Sequence, residues 1–323
     1  MKKVIFDTDP GIDDAMALWF LKKAPEVEIV GVTTSFGNGA IDTTTRNALY
    51  ICEQFGIQAP VAMGAAQPLA GQAGAWPAHV HGDDALGGVA RTFEPAKSPQ
   101  GLSADAAIVD MVRRYPHQIS FVAVAPLTNL ALALRRDPAI ASLVKEVIVM
   151  GGALGFRGHS GNVGPVTEAN IGRDPLAADE VLGAPWPVTL VGLDVTEDTI
   201  MPAEMLERLG RQGAEGRFIR EIAGFYLDFH REFEGLDGIF VHDSSAVACL
   251  LDPSIFVTRR GPIRVVRDGI AAGQTIQSPS TRPDTRKITP AAWQDRPHQS
   301  VCIGVDPRRV LDFYFETVTA EVS

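Results

Sequence analysis

The sequence predicts an α/β fold: an open, mostly parallel sheet with a Rossmann-like core, flanked by helices, followed by a mainly helical C-terminal portion. Three observations carry this. Short β-branched runs alternate with longer amphipathic segments through the first two-thirds of the chain. Several of these runs end directly in Gly-rich or Asp-rich segments, the expected position of ligand loops in an open parallel sheet. No repeat period and no linker interrupts the pattern, so one domain is expected over residues 1–323.

Taken in order, Val4–Phe6 reads as a strand, Asp13–Lys23 as a helix, Glu28–Thr34 as a strand and Ile41–Phe55 as a helix. Pro60–Met63 is a short strand and Ala104–Arg114 a helix. Ile119–Val124 is a strand, Leu127–Leu134 opens a helix, and Val147–Met150 is a strand running into Gly151-Gly152. Pro187–Asp194 is a further strand. Ala203–Leu251 reads as mainly helical, Ile263–Val266 as β and Arg308–Thr319 as helical. Two connections, Ala65–Leu102 and Gly151–Asn170, are longer than a plain crossover requires and are candidate functional loops.

Composition narrows the function. The chain is 46% hydrophobic and 21% charged, with 39 acidic against 29 basic residues and a net charge of −10. This offers no basic surface for a nucleic-acid backbone. The apolar run at Val4–Phe6 is too short for a secretory leader, no stretch reaches membrane-spanning length, and Cys52, Cys249 and Cys302 sit in apolar segments as reduced, buried thiols. A cytoplasmic protein without a membrane partner is expected.

The chemistry is concentrated in Asp7-Thr8-Asp9-Pro10-Gly11-Ile12-Asp13-Asp14, four carboxylates in eight residues between a buried strand and a helix. A helix N-terminus offsets about 1 kcal/mol per carboxylate, too little for four. A divalent cation can neutralise them, and carboxylate oxygens without cysteine favour a hard ion, Ca²⁺ or Mg²⁺. An EF-hand does not fit, because its closing glutamate position is Leu18. A cation of this kind acidifies water for hydrolysis.

The Asp7–Asp14 string resembles the N-terminal signature of the inosine-uridine preferring nucleoside hydrolases. Further similarities lie in Thr33-Thr34-Ser35-Phe36-Gly37-Asn38, His79-Val80-His81-Gly82, Pro126-Leu127-Thr128-Asn129-Leu130, Val149-Met150-Gly151-Gly152, Glu168-Ala169-Asn170 and Val241-His242-Asp243. The resemblance implies hydrolysis of the N-glycosidic bond of ribonucleosides, purine or pyrimidine, for nucleoside salvage. It implies Ca²⁺ held by Asp9, Asp14, Asp243 and the main-chain carbonyl of Val124. It also implies ribose contacts from Asp13, Asn38, Asn162, Glu168, Asn170 and Asp243, with Met150 against the sugar. By the same resemblance Asp9 is the general base for water on the ion, His242 a general acid, His81 a loop residue near the base, and the protein a homotetramer or homodimer. The residue types suit the reaction, since carboxylates and amide oxygens stabilise an oxocarbenium-like ribose.

This sequence departs from the pattern at Phe233–Phe240, where relatives often carry Tyr, and at Ser244, where Pro is common. Phe225, Tyr226, Phe229 and Phe240 are candidates for stacking, although the Phe225/Phe229 spacing also suits a core-facing helix. Two other functions compete. One is a non-catalytic ribose- or nucleoside-binding protein. The other is a haloacid dehalogenase-type phosphatase, which needs Asp-x-Asp-Gly-Thr where this chain has Asp7-Thr8-Asp9-Pro10-Gly11.

Overall fold

Val4 and Phe6 pack into one buried cluster and Ile5 into another, so the run that opens the chain is a central strand covered on both faces. In the computed structural model, which describes residues 1–278 and 291–320, this is β1 (Lys2–Thr8). It pairs in parallel with β2 (Val27–Thr34), which in turn pairs with β3 (Val61–Met63). On its other side β1 pairs with β4 (Ile119–Ala123), followed by β5 (Glu146–Met150) and β6 (Val188–Val191), all parallel.

The order β3-β2-β1-β4-β5-β6 reverses direction between β1 and β4, a switch point at which crevices open above the strands' carboxyl ends. Val122 and Ile148 face the same cluster as Phe6, while Phe121 and Val147 face the other, as the two-residue period of a strand requires. Helices Ile12–Lys23, His242–Leu251 and Pro307–Thr319 pack together on one face, where Trp19 and Phe20 meet Tyr314 edge-on at 6.4 and 5.0 Å. The predicted α/β architecture is present.

The C-terminal third is less helical than its sequence suggests. Helices Ala203–Leu209, Gly213–Phe229 and His242–Leu251 are there. Before the first of them lies β7 (Ile200–Pro202) and before the last β8 (Gly238–Phe240), which pair antiparallel as a separate ribbon. Then β9 (Phe256–Val265), β10 (Thr275–Gln277) and β11 (His298–Val305) extend the main sheet, giving nine strands among the described residues. The expected strand Pro187–Asp194 is shorter, because the chain turns into helix Leu193–Thr196 after Gly192. Cys52, Cys249 and Cys302 are buried and unbridged. Among the described residues no helix is long and apolar enough to cross a membrane.

One buried carboxylate ties β9 to the parallel half of the sheet. Asp179, fully buried, accepts hydrogen bonds from Arg264, Arg267 and Arg296 at 2.6–3.0 Å and from the Val265 N–H at 3.0 Å. Three cations hold its carboxyl below the ordinary range against the opposing effect of burial. Removing one partner of a buried ion pair strands the others. Asp179→Ala should therefore cost about 3 kcal/mol or more of stability, read as a lower denaturant midpoint; an unchanged midpoint would refute this clasp.

Candidate active site

Above the carboxyl ends of β1, β2, β4 and β5 lies a cavity of about 470 Å³, within the range of small-molecule sites. Its lining includes Asp13, Asn38, His81, Val124, Met150, Asn162, Glu168, Asn170, His242 and Asp243. Ten of the predicted site residues therefore share one cavity. Asp9 and Asp14 lie behind that lining, fully or nearly fully buried.

The floor is acidic. One carboxylate oxygen from each of Asp13, Asp14 and Asp243 lies within 4.8 Å of the others. Asp9 borders this triad, near enough for its charge to act on Asp243. Asp14 is the most tethered of the group. It accepts from Thr8 Oγ1, from the N–H of Gly11 at 2.8 Å and of Asp9 at 3.3 Å, and from Asn38 Nδ2 at 3.1 Å. Asn38 also donates its N–H to Asp9 Oδ2 at 2.7 Å. Asp9 Oδ1 and Asp13 Oδ1 are buried without a hydrogen-bond partner.

Such groups are costly unless something cationic reaches them. Burial, then mutual repulsion, raises the carboxyls: Asp13 to about 8, and Asp9 and Asp243 well above the ordinary range. Asp7, the fourth carboxylate of the motif, points elsewhere. It accepts from Thr33 at 2.5 Å and Asn129 at 2.8 Å beneath the site, and burial raises it to about 7.

A close approach explains Gly37, which follows β2. A Cβ there would lie 1.8 Å from Asp9 Oδ2. Gly37→Ala must push Asp9 aside, and a displacement of roughly 1 Å costs about 100-fold in rate. The expected outcome is a folded variant with kcat down by about that factor; full activity would show that Asp9 tolerates displacement.

The wall built from Glu168, Asn170 and Asn162 is held by main chain. Glu168 caps helix Ala169–Arg173, accepting from the N–H of Asn170 at 2.7 Å, Ile171 at 3.0 Å and Gly152 at 2.8 Å. Asn170 Nδ2 donates to the carbonyls of Val124 at 3.1 Å and Met150 at 3.2 Å, bridging the ends of β4 and β5. Asn162 is exposed at the rim, its Oδ1 accepting from the Ala169 N–H at 3.0 Å.

Another part of the lining is aromatic and imidazole-rich: Tyr226, Phe229, His230, Phe240 and His242, with His79 and His81 from the long first loop. Tyr226 and Phe229 are stacked at 6.4 Å, and His81 stacks on Tyr226 at 5.5 Å. The Ile12 N–H, free at the start of its helix, donates to His81 Nδ1 at 3.3 Å. His242 Nδ1 lies 2.8 Å from Thr196 Oγ1. Burial, followed by neighbouring histidines, pushes both His81 and His242 down to about 3, so both are neutral at pH 7.

His79, Glu197, His230 and Glu234 also line the cavity and are absent from the sequence-predicted set. The one signal for His230 is its place four residues after Tyr226, on the same helical face. Nothing local marks Glu197.

Comparison with known proteins agrees with this geometry. Residues 4–312 match the family described as inosine-uridine preferring nucleoside hydrolase. A probable uridine nucleosidase 1 of Oryza sativa subsp. japonica is 39% identical over 322 residues, 98% of this chain and 97% of the relative. Two solved structures superpose along nearly their full length. A plant nucleoside hydrolase does so with a TM-score of 0.93 at 36% identity, covering 99% of both chains. A purine-preferring ribonucleoside hydrolase from Gardnerella vaginalis does so with 0.88 at 31% identity, covering 98% of both. The acidic cluster, the aromatic part of the lining and these likenesses converge: the chain belongs to the inosine-uridine preferring nucleoside hydrolases, enzymes that hydrolyse N-ribosyl bonds.

Proposed function

We propose that this enzyme is a calcium-dependent ribonucleoside hydrolase in which Asp9 is the general base and His242 assists the departing base. The observation that carries the proposal is the division of one cavity into a carboxylate floor and an aromatic, imidazole-bearing wall, matching the two halves of a nucleoside. The donor set fits a hard cation: it is all oxygen, crowded, and includes the unpartnered buried oxygens of Asp9 and Asp13. Asp9, Asp14, Asp243 and the Val124 carbonyl would hold calcium, with Asp13 beside them. When bound, the ion neutralises the floor and makes water more acidic.

The remaining steps belong to the chain. Asp9, tethered through one oxygen to the Asn38 N–H, keeps the other free to take a proton from the attacking water. Asp13, Asn38, Asn162, Glu168, Asn170 and Asp243 hold the ribose hydroxyls, and Met150 packs against the sugar. The carboxylates stabilise the positive charge that builds on the ribose as the bond breaks. His242 reaches the base as a neutral imidazole. This role requires Thr196 Oγ1 to donate to Nδ1, leaving the hydrogen on Nε2 to be donated to the base as negative charge develops there.

Both purine and pyrimidine ribonucleosides are proposed as substrates, in keeping with relatives named for uridine and for purines. The free buried thiols support a cytoplasmic setting, and a homodimer or homotetramer is proposed. The test is incubation with a panel of purine and pyrimidine ribonucleosides, following free base and reducing sugar with calcium and with a chelator. No cleavage in calcium would reject hydrolysis. Tight binding without turnover would favour the nucleoside-binding alternative.

A further inference from the structure

Four histidines line the cavity, and their hydrogen bonds separate their roles. His230 is buried and opens a π-helical turn, His230–Glu234, at the end of helix Gly213–Phe229. Its Nδ1 lies 2.7 Å from the Tyr226 carbonyl, which can only accept, so Nδ1 carries the hydrogen. Its Nε2 receives the Phe240 N–H at 3.3 Å, which can only donate, so Nε2 is bare. Two main-chain groups thus fix one neutral tautomer and occupy both nitrogens. Protonation at Nε2 would break the bond to β8. Burial acts in the same direction, lowering the imidazole's affinity for a proton.

The ring is also the hub of the aromatic wall. It meets Tyr226 edge-on at 4.3 Å, Phe229 at 5.3 Å and Phe240 at 5.1 Å. These three rings come from the long helix and from β8, and Phe240 lies 5.4 Å from His242. The other pocket imidazoles are less constrained. His81 takes one main-chain bond on Nδ1, and His242 Nδ1 meets the Thr196 hydroxyl, which can donate or accept.

We infer that His230 is a positioning residue for the nucleobase: it joins helix and strand into one stacking surface and takes no part in proton transfer. This rests on the nucleoside hydrolase reading above. A phenylalanine would retain the ring but lose both main-chain bonds. A glutamine can accept from Phe240 and donate to Tyr226 through its amide.

The test uses His230→Phe and His230→Gln, assayed with inosine, uridine and p-nitrophenyl β-D-ribofuranoside, whose leaving group needs no proton. For H230F we expect KM for the nucleosides to rise about tenfold with kcat within about threefold of wild type. The pH profile of kcat should be unchanged, and H230Q should recover at least half of the KM loss. A kcat loss confined to nucleosides, with the nitrophenyl riboside spared, would overturn the inference by making His230 a proton donor. So would an unchanged KM in H230F.

Nitrogen NMR of the wild type reads the tautomer without any substitution. A protonated Nδ1 and a bare Nε2 that persist from about pH 5.5 to 8.5 are expected, and an imidazolium or the opposite tautomer overturns the inference. A wild-type enzyme that cleaves no nucleoside overturns the functional reading and the role together, and is recognised by the wild-type control.

Discussion

Asp9→Ala is expected to lower kcat by roughly 10³-fold while nucleoside affinity stays within about threefold of wild type, the signature of the proposed general base being lost. The reason is how Asp9 is mounted. One carboxylate oxygen is fixed by the Asn38 N–H at 2.7 Å, and the other is buried and unpartnered. Alanine would remove the proposed proton acceptor and leave Glu168 and Asn170, the proposed ribose wall, standing on their own main-chain bonds. Rapid-quench measurement of base release gives kcat, and calorimetry with a slowly cleaved nucleoside gives affinity. A kcat within about tenfold of wild type would remove Asp9 from the chemistry. Equal losses of kcat and affinity would make it a binding residue.

If calcium is the ion, its chelation is expected to abolish turnover and to destabilise the fold in a pH-dependent way whose sign follows from the floor. In the metal-free chain, burial raises Asp13 from 3.8 to about 8, and raises Asp9, Asp14 and Asp243 as well. The folded state then binds protons that the unfolded chain has released above its ordinary carboxylate range. Stability is fully present below about pH 4 and is lost as pH rises toward about 8. A bound cation holds the same carboxyls ionised and removes that loss. The gap in Tm between calcium-loaded and chelated protein should therefore widen from pH 5 to pH 8, reaching about 5 °C or more at the upper end. A gap that is constant or narrows with pH would show that the floor does not hold the ion.

Much of the floor was legible because its residues are close in the chain. Asp9, Asp13 and Asp14 follow one strand and open one helix, so a local pattern reports a local site. Even there the count misled. Asp7 belongs to the strand itself and turns to Thr33 and Asn129 under the site, a distinction set by the neighbouring strand β2 and by helix Thr128–Arg136. The parallel strands were legible from β-branched runs, whereas β7 and β8 have three residues each, too few for alternation to show. In β11, Val301 faces one cluster and Cys302 the other, so burial on both sides hid its period. His230 is marked only by its place four residues after Tyr226, and Glu197 enters the cavity through tertiary packing, of which a sequence carries no local mark.

The ribbon β7-β8 has a consequence for how such an enzyme diversifies. Asp9, Asp13, Asp14, Asn38, Glu168 and Asn170 hang on the ends of β1, β2 and β5, whose register is locked across the central sheet, and Asp243, although it follows β8, is carried by helix His242–Leu251 packed on helix Ile12–Lys23. The surface proposed to face the nucleobase hangs instead largely on helix Gly213–Phe229, the π-helical turn and β8, whose strand pairing is with β7 alone among the described residues. Mutations that reshape the second assembly leave the first in register. A lineage can therefore exchange one preferred base for another by drift in a peripheral module, while the hydrolytic machinery stays under unchanged selection.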